Sequence, residues 1–286
     1  FQTSEFLLAH GMVNEKGTDV SQHNERASVS YVTGSHSFKA GFFTQFGRED
    51  LQDLRGVNRG LHYQLLNGAP VRIVQWATPV TSKSQFNDLA LFAQDQWTIK
   101  NMTLNLGLRF DKGWGFVPEQ VRPAGLFVPE LKVSRVDNVP NFTDLSPRFG
   151  VAYDLFGNGK TAIKGSIGRY VGQYGSVLTA GSNPANSLVN SATRTWSDTN
   201  KNYIPDCDLR NPAANNAGDA CGALDNKLFG TVQTNLRYLP DAIQGFGNRE
   251  NNWQTSVAVQ HELRPGMGLT VGYFRTWFGN FQVLDN

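Results

Sequence analysis

Apolar and polar residues alternate with a period of two along several stretches of the chain. In residues 102–111, MTLNLGLRFD, every even position is apolar and every odd position is polar or glycine. The same alternation recurs in residues 146–155, SPRFGVAYDL, and in residues 252–263, NWQTSVAVQHEL. A β-strand with one apolar face requires this pattern, whereas helical periods of 3.6 are hard to find anywhere in the chain. The sequence therefore predicts an all-β protein.

Eight segments combine this alternation with a length of about 9–12 residues, which suits a tilted strand that crosses the hydrocarbon layer of a membrane. They are residues 24–33, 37–48, 87–99, 101–112, 146–155, 161–172, 251–263 and 268–279.

The connections between these segments also alternate in length. Short turns with Gly or Asn lie near Gly34, at residues 100–101, at residues 156–160 and at residues 264–268. Long polar connections separate the resulting pairs, at residues 49–87, 112–145 and 172–251, and the first contains a predicted hairpin at residues 61–79. Short turns on one side and long loops on the other are typical of an antiparallel transmembrane β-barrel, with the turns in the periplasm and the loops outside.

A soluble β-sandwich is the alternative, but its strands are about 5–6 residues long with turns every 8–12 residues. Aromatic residues near the ends of the predicted strands favour the membrane barrel, because such residues form girdles at the two interfaces. They are Trp97, Tyr153, Tyr170, Trp253 and Trp277.

The composition excludes several other classes of protein. Of 286 residues, 40% are hydrophobic and only 17% are charged, which argues against a disordered chain. A net charge of +2 without a run of Lys or Arg gives no electrostatic basis for binding nucleic acid. Cys207 and Cys221 lie in a polar stretch rich in Asn, Asp and Gly, which predicts a surface loop closed by a disulfide in an oxidising compartment.

Catalytic signals are absent from the sequence. No G-x-S-x-G elbow, HExxH motif or Cys–His pattern occurs, and the five histidines are scattered, so we do not expect an enzyme. Four charged residues, Arg109, Asp111, Arg148 and Asp154, share the polar face of the predicted strands. We expect them to form charge pairs between neighbouring strands.

One polar stretch has the residue types of a calcium site. Residues 198–208, DTNKNYIPDCD, place hard oxygen donors at alternate positions, which is the ligand chemistry that Ca²⁺ requires. The stretch resembles a thrombospondin type 3 calcium repeat, but Tyr203 replaces the sharp-turn glycine and no bidentate Glu follows at the twelfth position. The alternative is a loop of Asx turns fastened by Cys207 and Cys221. The predicted ligands are Asp198, Asn200, Asn202, Asp206 and Asp208.

The order of motifs in residues 89–111, LALFAQDQWTIKNMTLNLGLRFD, and 144–170, DLSPRFGVAYDLFGNGKTAIKGSIGRY, resembles the barrel of TonB-dependent outer-membrane receptors. The resemblance is greatest to the adhesion-type branch, which carries a carboxypeptidase-regulatory-like domain before its plug. It extends over most of residues 20–280. It implies a barrel of about 22 strands, a plug in the lumen and a segment that contacts TonB.

No plug or TonB-contacting segment is recognisable in this sequence. Residues 1–20 and 280–286 break off without the features of designed chain ends, so we expect residues 1–286 to be part of one larger barrel domain. A complete barrel of eight strands is the alternative.

The resemblance implies a receptor in the bacterial outer membrane that takes up a scarce solute. Its expected partners are outer-membrane lipid, the unidentified solute and, through a plug, the TonB-type energy-coupling complex. The alternative is a structural or adhesive barrel that binds a partner through its extracellular loops.

Overall fold

The computed structural model describes residues 16–55, 60–234 and 236–283. These residues form two short α-helices, α1 (Val177–Gly181) and α2 (Pro240–Ile243), a 3₁₀ helix (Pro184–Ser187) and sixteen β-strands. The strands are β1 (Lys16–Thr33), β2 (His36–Asp53), β3 (Leu61–Leu66), β4 (Ala69–Trp76), β5 (Val80–Ile99), β6 (Met102–Val117), β7 (Gln120–Arg122), β8 (Leu131–Val133), β9 (Val136–Asp154), β10 (Thr161–Val171), β11 (Ser191–Ser197), β12 (Asn215–Ala217), β13 (Asp219–Cys221), β14 (Gln244–Phe246), β15 (Asn251–Arg264) and β16 (Met267–Gly279).

The eight segments predicted to cross the membrane form one antiparallel sheet in the order β1-β2-β5-β6-β9-β10-β15-β16, and β14 adds to β9 in parallel. The predicted all-β fold with antiparallel barrel strands is therefore confirmed, although these strands do not close a barrel by themselves. Within the described residues β1 pairs only with β2 and β16 only with β15, so the sheet is open.

Tight turns join the strands in the places that the sequence predicts. Gly34 and Gly266 adopt φ of 53° and 81°, and Lys100 adopts φ of 52°, where each closes a hairpin between long strands. A positive φ is easiest for glycine because it has no Cβ. All four predicted turns lie at the same end of the sheet, since the strands they join are antiparallel neighbours.

The sheet has one apolar and one polar face. Leu106, Phe149 and Ile167 lie beside one another on β6, β9 and β10, and 40%, 43% and 40% of their surfaces are exposed. We call this the outer face. The opposite face carries Arg109 and Asp111, and we call it the inner face. An exposed apolar band with this alternation is what a lipid-facing surface requires.

Several strands extend further than their alternation predicts, always at the end opposite the tight turns. β5 begins at Val80, and β6 continues to Val117. In these extensions the inner face is buried, and Val117 is completely inaccessible. Alternation fails there because loop segments cover the strands, so apolar residues occur on the inner face as well.

The long connections have structure of their own. β3 and β4 form the hairpin predicted within residues 61–79, and β4 pairs on its other side with β11. Together with β12 and β13 they form a five-stranded sheet in the order β12-β13-β11-β4-β3. Its core consists of Ile73, Trp196, Cys207 and Cys221.

The third long connection packs against the inner face of the main sheet. We call residues 172–250, apart from Asn235, the docked segment. Leu178 on α1 and Ile243 on α2 join a buried cluster with Val117, Val139 and Phe142 of the sheet. This cluster attaches the segment to the strands at the end opposite the tight turns.

Among the described residues, none of the helices has the length and apolar character needed to cross a membrane.

Candidate functional site

A polar cleft of about 190 Å³ lies between the inner face of the main sheet and the docked segment. Strands β2, β5, β6, β9 and β10 provide its floor, and residues from both ends of the docked segment provide its rim. Its charged and polar lining includes Asp88, Arg109, Asp111, Ser146, Arg148 and Arg249.

A network of buried ion pairs supports this cleft. The carboxylate of Asp144, which is completely buried, lies 3.0 Å from a guanidinium nitrogen of Arg169 and 3.1 Å from Nε of Arg249. Arg249 also lies 3.7 Å from the carboxylate of Asp88. Buried charges are tolerated when each has a partner of opposite sign. The network therefore links β5, β9 and β10 to the end of the docked segment.

Arg169 enters this network because two strands separate beside it. The pairing of β9 with β10 ends at Arg148 and Gly168, one residue before Arg169. The guanidinium of Arg169 then donates a hydrogen bond of 3.0 Å to the backbone carbonyl of Leu145. Its position in the alternation would place Arg169 on the outer face with Ile167, but the end of the strand pairing allows it to reach Asp144.

The four charged residues predicted to pair between strands make different contacts. Arg109 binds Asp111 two residues along the same strand at 2.8 Å, and the guanidinium of Arg148 stacks on the ring of Tyr170 at 4.5 Å. Asp154 accepts hydrogen bonds from the backbone N–H groups of the following turn. The prediction of cross-strand pairs among these four residues is wrong, because partners nearer in sequence satisfy three of them.

Tyr170 is one of the aromatic residues predicted to form an interfacial girdle. Its ring instead lies on the inner face and stacks against the guanidinium of Arg148, so this part of the prediction is wrong. Trp253 and Trp277, by contrast, stack on each other at 6.3 Å on neighbouring strands.

A glycine makes room for the docked segment at the cleft. A Cβ at Gly113 would lie 2.3 Å from Nη2 of Arg249, so a larger residue at this position would displace the guanidinium. Two residues further along β6, a Cβ at Gly115 would lie 2.3 Å from Oγ1 of Thr179, which donates a hydrogen bond to the carbonyl of Val139. Glycines at alternate inner-face positions of β6 are the sequence signal that could have predicted where the docked segment packs.

The residues that form the buried network were not among the sequence candidates. Asp88, Asp144 and Arg249 stand within or beside predicted strands without a motif. Their partners are distant in sequence, so the alternation carried no information about the pairing.

The predicted calcium ligands are brought together in part. The side-chain amides of Asn200 and Asn202 both donate to one carboxylate oxygen of Asp206, at 2.7 and 3.1 Å. Asp198 accepts from the backbone N–H groups of Asn202 and Tyr203. The carboxylate of Asp208 accepts instead from the backbone N–H of Arg210.

Apart from Asp208, the predicted ligands are two carboxylates, those of Asp198 and Asp206, and two amides, whose oxygens accept hydrogen bonds from the backbone N–H groups of Asn202 and Ile204. The described residues contain no group of three or more His, Cys, Asp or Glu residues placed to hold a metal ion. The amides would therefore have to supply half of the side-chain ligands, and calcium binding at this loop stays a prediction.

The loop beside it is closed by the predicted disulfide between Cys207 and Cys221, whose Cα atoms are 6.1 Å apart. Asp219, which is completely buried, accepts hydrogen bonds from the indole of Trp196 and from Thr199. Burial alone would raise the pKa of Asp219, but these hydrogen bonds, with a further one from the backbone of Asp206, outweigh it and lower the pKa below 3.8. Asp219 is thus a charged centre of the loop.

The four histidines among the described residues do not form a metal site together. His36 lies 2.7 Å from Asp95 and stacks on Trp97 of the neighbouring strand, and His261 lies 2.9 Å from the hydroxyl of Thr161. His62 packs edge-on against Trp76. His23 lies on β1, and His10 lies outside the described residues.

Comparison with solved structures finds low similarity to two transporters. The ferric citrate transporter FecA, in its unliganded form, is 10% identical with a TM-score of 0.34, over 92% of this chain and 36% of that one. The copper transporter OprC is 10% identical with a TM-score of 0.28, over 92% of this chain and 48% of that one. The chain thus spans less than half the length of either protein. No curated protein matches its sequence.

The match to a family is extensive. Residues 2–276 match the family described as "Outer membrane beta barrel domain", a range that includes seven of the eight long strands, most of β16, the docked segment and the cleft. The exposed apolar outer face and the hairpin arrangement agree with a strand array in the bacterial outer membrane. The chain belongs to the outer-membrane β-barrel family.

Proposed function

We propose that the chain is part of an energy-coupled receptor that takes up a scarce solute across the outer membrane. The observation that carries this proposal is the docked segment, which packs on the inner face and leaves a polar cleft beside the strands. A segment in this position narrows the lumen on the side of the long loops. The order of motifs that resembles the barrels of TonB-dependent receptors supports the same proposal.

In this proposal, the docked segment and the cleft form part of the route for solute on the extracellular side. Energy would come from a TonB-type complex acting on a plug within the lumen. The chain's own residues would bind and orient solute, and no covalent chemistry is required of them. The role is therefore that of a transporter and not of an enzyme.

The open edges of the main sheet support a barrel larger than eight strands. β1 and β16 are 18 and 13 residues long, and each has one edge without a partner among the described residues. Unpaired backbone N–H and C=O groups cost several kcal/mol each within a bilayer. We propose that further strands of the full-length protein pair with both edges, as a barrel of about 22 strands requires.

A second function is favoured by apolar side chains on the long loops. Leu239, Phe246 and Val177 have 73%, 68% and 66% of their surfaces exposed, although they lie on the loop side of the sheet and not on the outer face. Exposed apolar residues of this kind suit contact with a partner protein. An adhesive or structural barrel is therefore the alternative role.

The uptake proposal is tested by comparing three strains of the source bacterium: wild type, a strain without the full-length gene and a strain without TonB. Mass spectrometry of the spent medium measures which solutes each strain removes. We expect both deletions to leave the same solute in the medium. If the receptor deletion removes every solute normally but abolishes attachment to cells or surfaces, the adhesive role replaces uptake.

A further inference from the structure

The charges around the cleft do not cancel. Four arginines, Arg109, Arg148, Arg169 and Arg249, stand against three carboxylates, those of Asp88, Asp111 and Asp144. Asp111 is bound by Arg109, Asp144 is shared by Arg169 and Arg249, and Asp88 pairs with Arg249. One positive charge is therefore left over at Arg148.

Arg148 is held in place without an acidic partner. Its guanidinium stacks on Tyr170 at 4.5 Å, and no carboxylate among the described residues forms an ion pair with it. Stacking leaves the N–H groups at the edge of the guanidinium plane available, because only the flat face contacts the ring. Arg148 is exposed and lines the cleft.

Three buried polar atoms of residues that line the cleft lack a hydrogen-bond partner within the described part of the chain. They are Oγ of Ser146 and the Nε and Nη2 atoms of Arg249, of which Nε lies 3.1 Å from the Asp144 carboxylate. Both residues line the cleft and are less than a tenth exposed. A buried donor without a partner destabilises the folded protein, so such atoms commonly indicate a group that binds there.

The unpaired groups of Arg148, Ser146 and Arg249 are all able to donate hydrogen bonds. A guanidinium can only donate, and the Ser146 hydroxyl can donate as well. A cluster of unpaired donors with one excess positive charge matches an anion that has several acceptor oxygens.

We infer that the cleft binds the anionic group, a carboxylate or a phosphate, of a small solute through Arg148, Ser146 and Arg249. This inference rests on the proposed uptake function, whose substrate class it names. Arg148 contributes the uncompensated charge, and Ser146 and Arg249 fix the position of the oxygens. Arg109 and Asp111 neutralise each other and shape the wall of the cleft.

The test uses the full-length protein, purified from outer membranes in detergent, and isothermal titration with three anions: acetate, succinate and inorganic phosphate. Methylamine serves as a cationic probe of similar size. We expect saturable binding of at least one anion, weakened by added salt, and no binding of methylamine. The difference between succinate and phosphate distinguishes a carboxylate solute from a phosphate solute.

Variants assign the binding to the cleft. Arg148→Ala should weaken binding about tenfold or more, because a charged hydrogen-bond donor is lost. Arg148→Lys keeps the charge but loses the flat stacking on Tyr170, so it should weaken binding less. The matched control is Arg135→Ala, since Arg135 also stacks on an aromatic ring, that of Phe116 at 3.8 Å, but lies outside the cleft.

Two results would overturn the inference. One is the absence of binding for all three anions, which includes the case in which a side chain of the full-length protein itself fills the cleft. The other is equal binding by the Arg148→Ala and Arg135→Ala variants. Neither result affects the comparison of solute removal by whole cells, so uptake would still be judged on its own experiment.

Discussion

Arg249, at the end of the docked segment, places its Nε 3.1 Å from the carboxylate of Asp144 on β9, and the two side chains are only 5% and 0% exposed. This ion pair joins a loop to the sheet that it covers. The same carboxylate also lies 3.0 Å from Arg169, so one buried carboxylate forms ion pairs with two buried guanidinium groups.

The first prediction concerns this acid. Asp144→Asn leaves Arg169 without a carboxylate partner and Arg249 with only Asp88, 3.7 Å away. Breaking a buried pair in this way costs about 3–5 kcal/mol. We expect the docked segment to become accessible to protease at lower urea concentrations than in the unchanged protein.

The matched control for Asp144 is Asp137→Asn. Asp137 forms an exposed ion pair with Arg135 at 2.7 Å, and exposed pairs contribute about 0–1 kcal/mol. Equal protease sensitivity of the two variants would show that the buried network does not hold the segment.

The second prediction concerns the outer face. Leu106 lies four residues from a tight turn beside Phe149, with its side chain exposed. If this face contacts lipid, Leu106→Arg near the middle of the membrane should cost about 2–4 kcal/mol of folding free energy. Asn105→Arg, directed to the inner face, should cost much less. Refolding into lipid vesicles measures both, and equal penalties would contradict a lipid-facing assignment of Leu106.

The long strands can be predicted from the sequence because the environment of their side chains alternates at every residue. Lipid on one side and a polar interior on the other impose a period of two, and a slip of one residue would reverse all side chains. The register of Trp97 with Leu104 follows from that constraint together with the short turn at residues 100–101. All eight long strands were located for this reason.

The cleft cannot be predicted from local sequence patterns because it depends on contacts between distant parts of the chain. Nothing near Asp144 in the sequence indicates that Arg249 will lie beside it, and nothing near Gly113 indicates that a guanidinium will need its space. The alternation alone would place Arg169 on the outer face, and its contact with Asp144 depends on the pairing of β9 with β10, which ends one residue earlier. Local patterns determine strands, whereas ion pairs of this kind depend on the path of the loops.

The third prediction concerns sidedness. Asn158 lies in a turn at the end of the sheet away from the docked segment, and we expect that turn to be periplasmic. An impermeant thiol reagent applied to intact cells should therefore not label a cysteine introduced at Asn158. A cysteine at Lys201 in the docked segment serves as the positive control. Labelling at Asn158 and not at Lys201 would reverse the proposed orientation.

The fourth prediction follows from the lowered pKa of Asp219. Since its pKa in the folded state lies below the ordinary value of 3.8, the ionised carboxylate stabilises the loop fully above that value. The stabilisation is lost as the pH falls through the folded-state pKa, so the loop should open only below about pH 4.

Opening can be followed by the fluorescence of Trp196, whose indole donates to Asp219 at 3.0 Å, taken as the difference from a Trp196→Phe variant. Asp219→Asn should reduce loop stability at neutral pH and flatten its acid dependence. An unchanged acid profile in Asp219→Asn would assign the transition to another group.

The fifth prediction concerns the loop closed by Cys207 and Cys221. With a sequence separation of 14, the bond should remove conformational freedom from the unfolded loop equivalent to about 3 kcal/mol. The adjoining Asp198, Asn200 and Asp206 are the predicted calcium ligands, and the bond restricts the end of that stretch. If calcium binds there, the disulfide and the metal should protect the loop from protease cooperatively.

The measurement is loop proteolysis in four conditions: oxidised or reduced protein, each with calcium or with a chelator. We expect calcium to slow cleavage more in the oxidised protein, because the disulfide orders one end of the ligand-bearing stretch before the ion binds. Asp206→Ala removes the carboxylate shared by both Asn amides, and it should abolish the calcium effect while leaving the disulfide effect. The matched control, Asp225→Ala, changes a carboxylate that accepts from the backbone of Thr193, away from the predicted ligands. Cleavage that is independent of calcium in the oxidised protein would remove the metal site and leave a loop held by Asx hydrogen bonds and its disulfide.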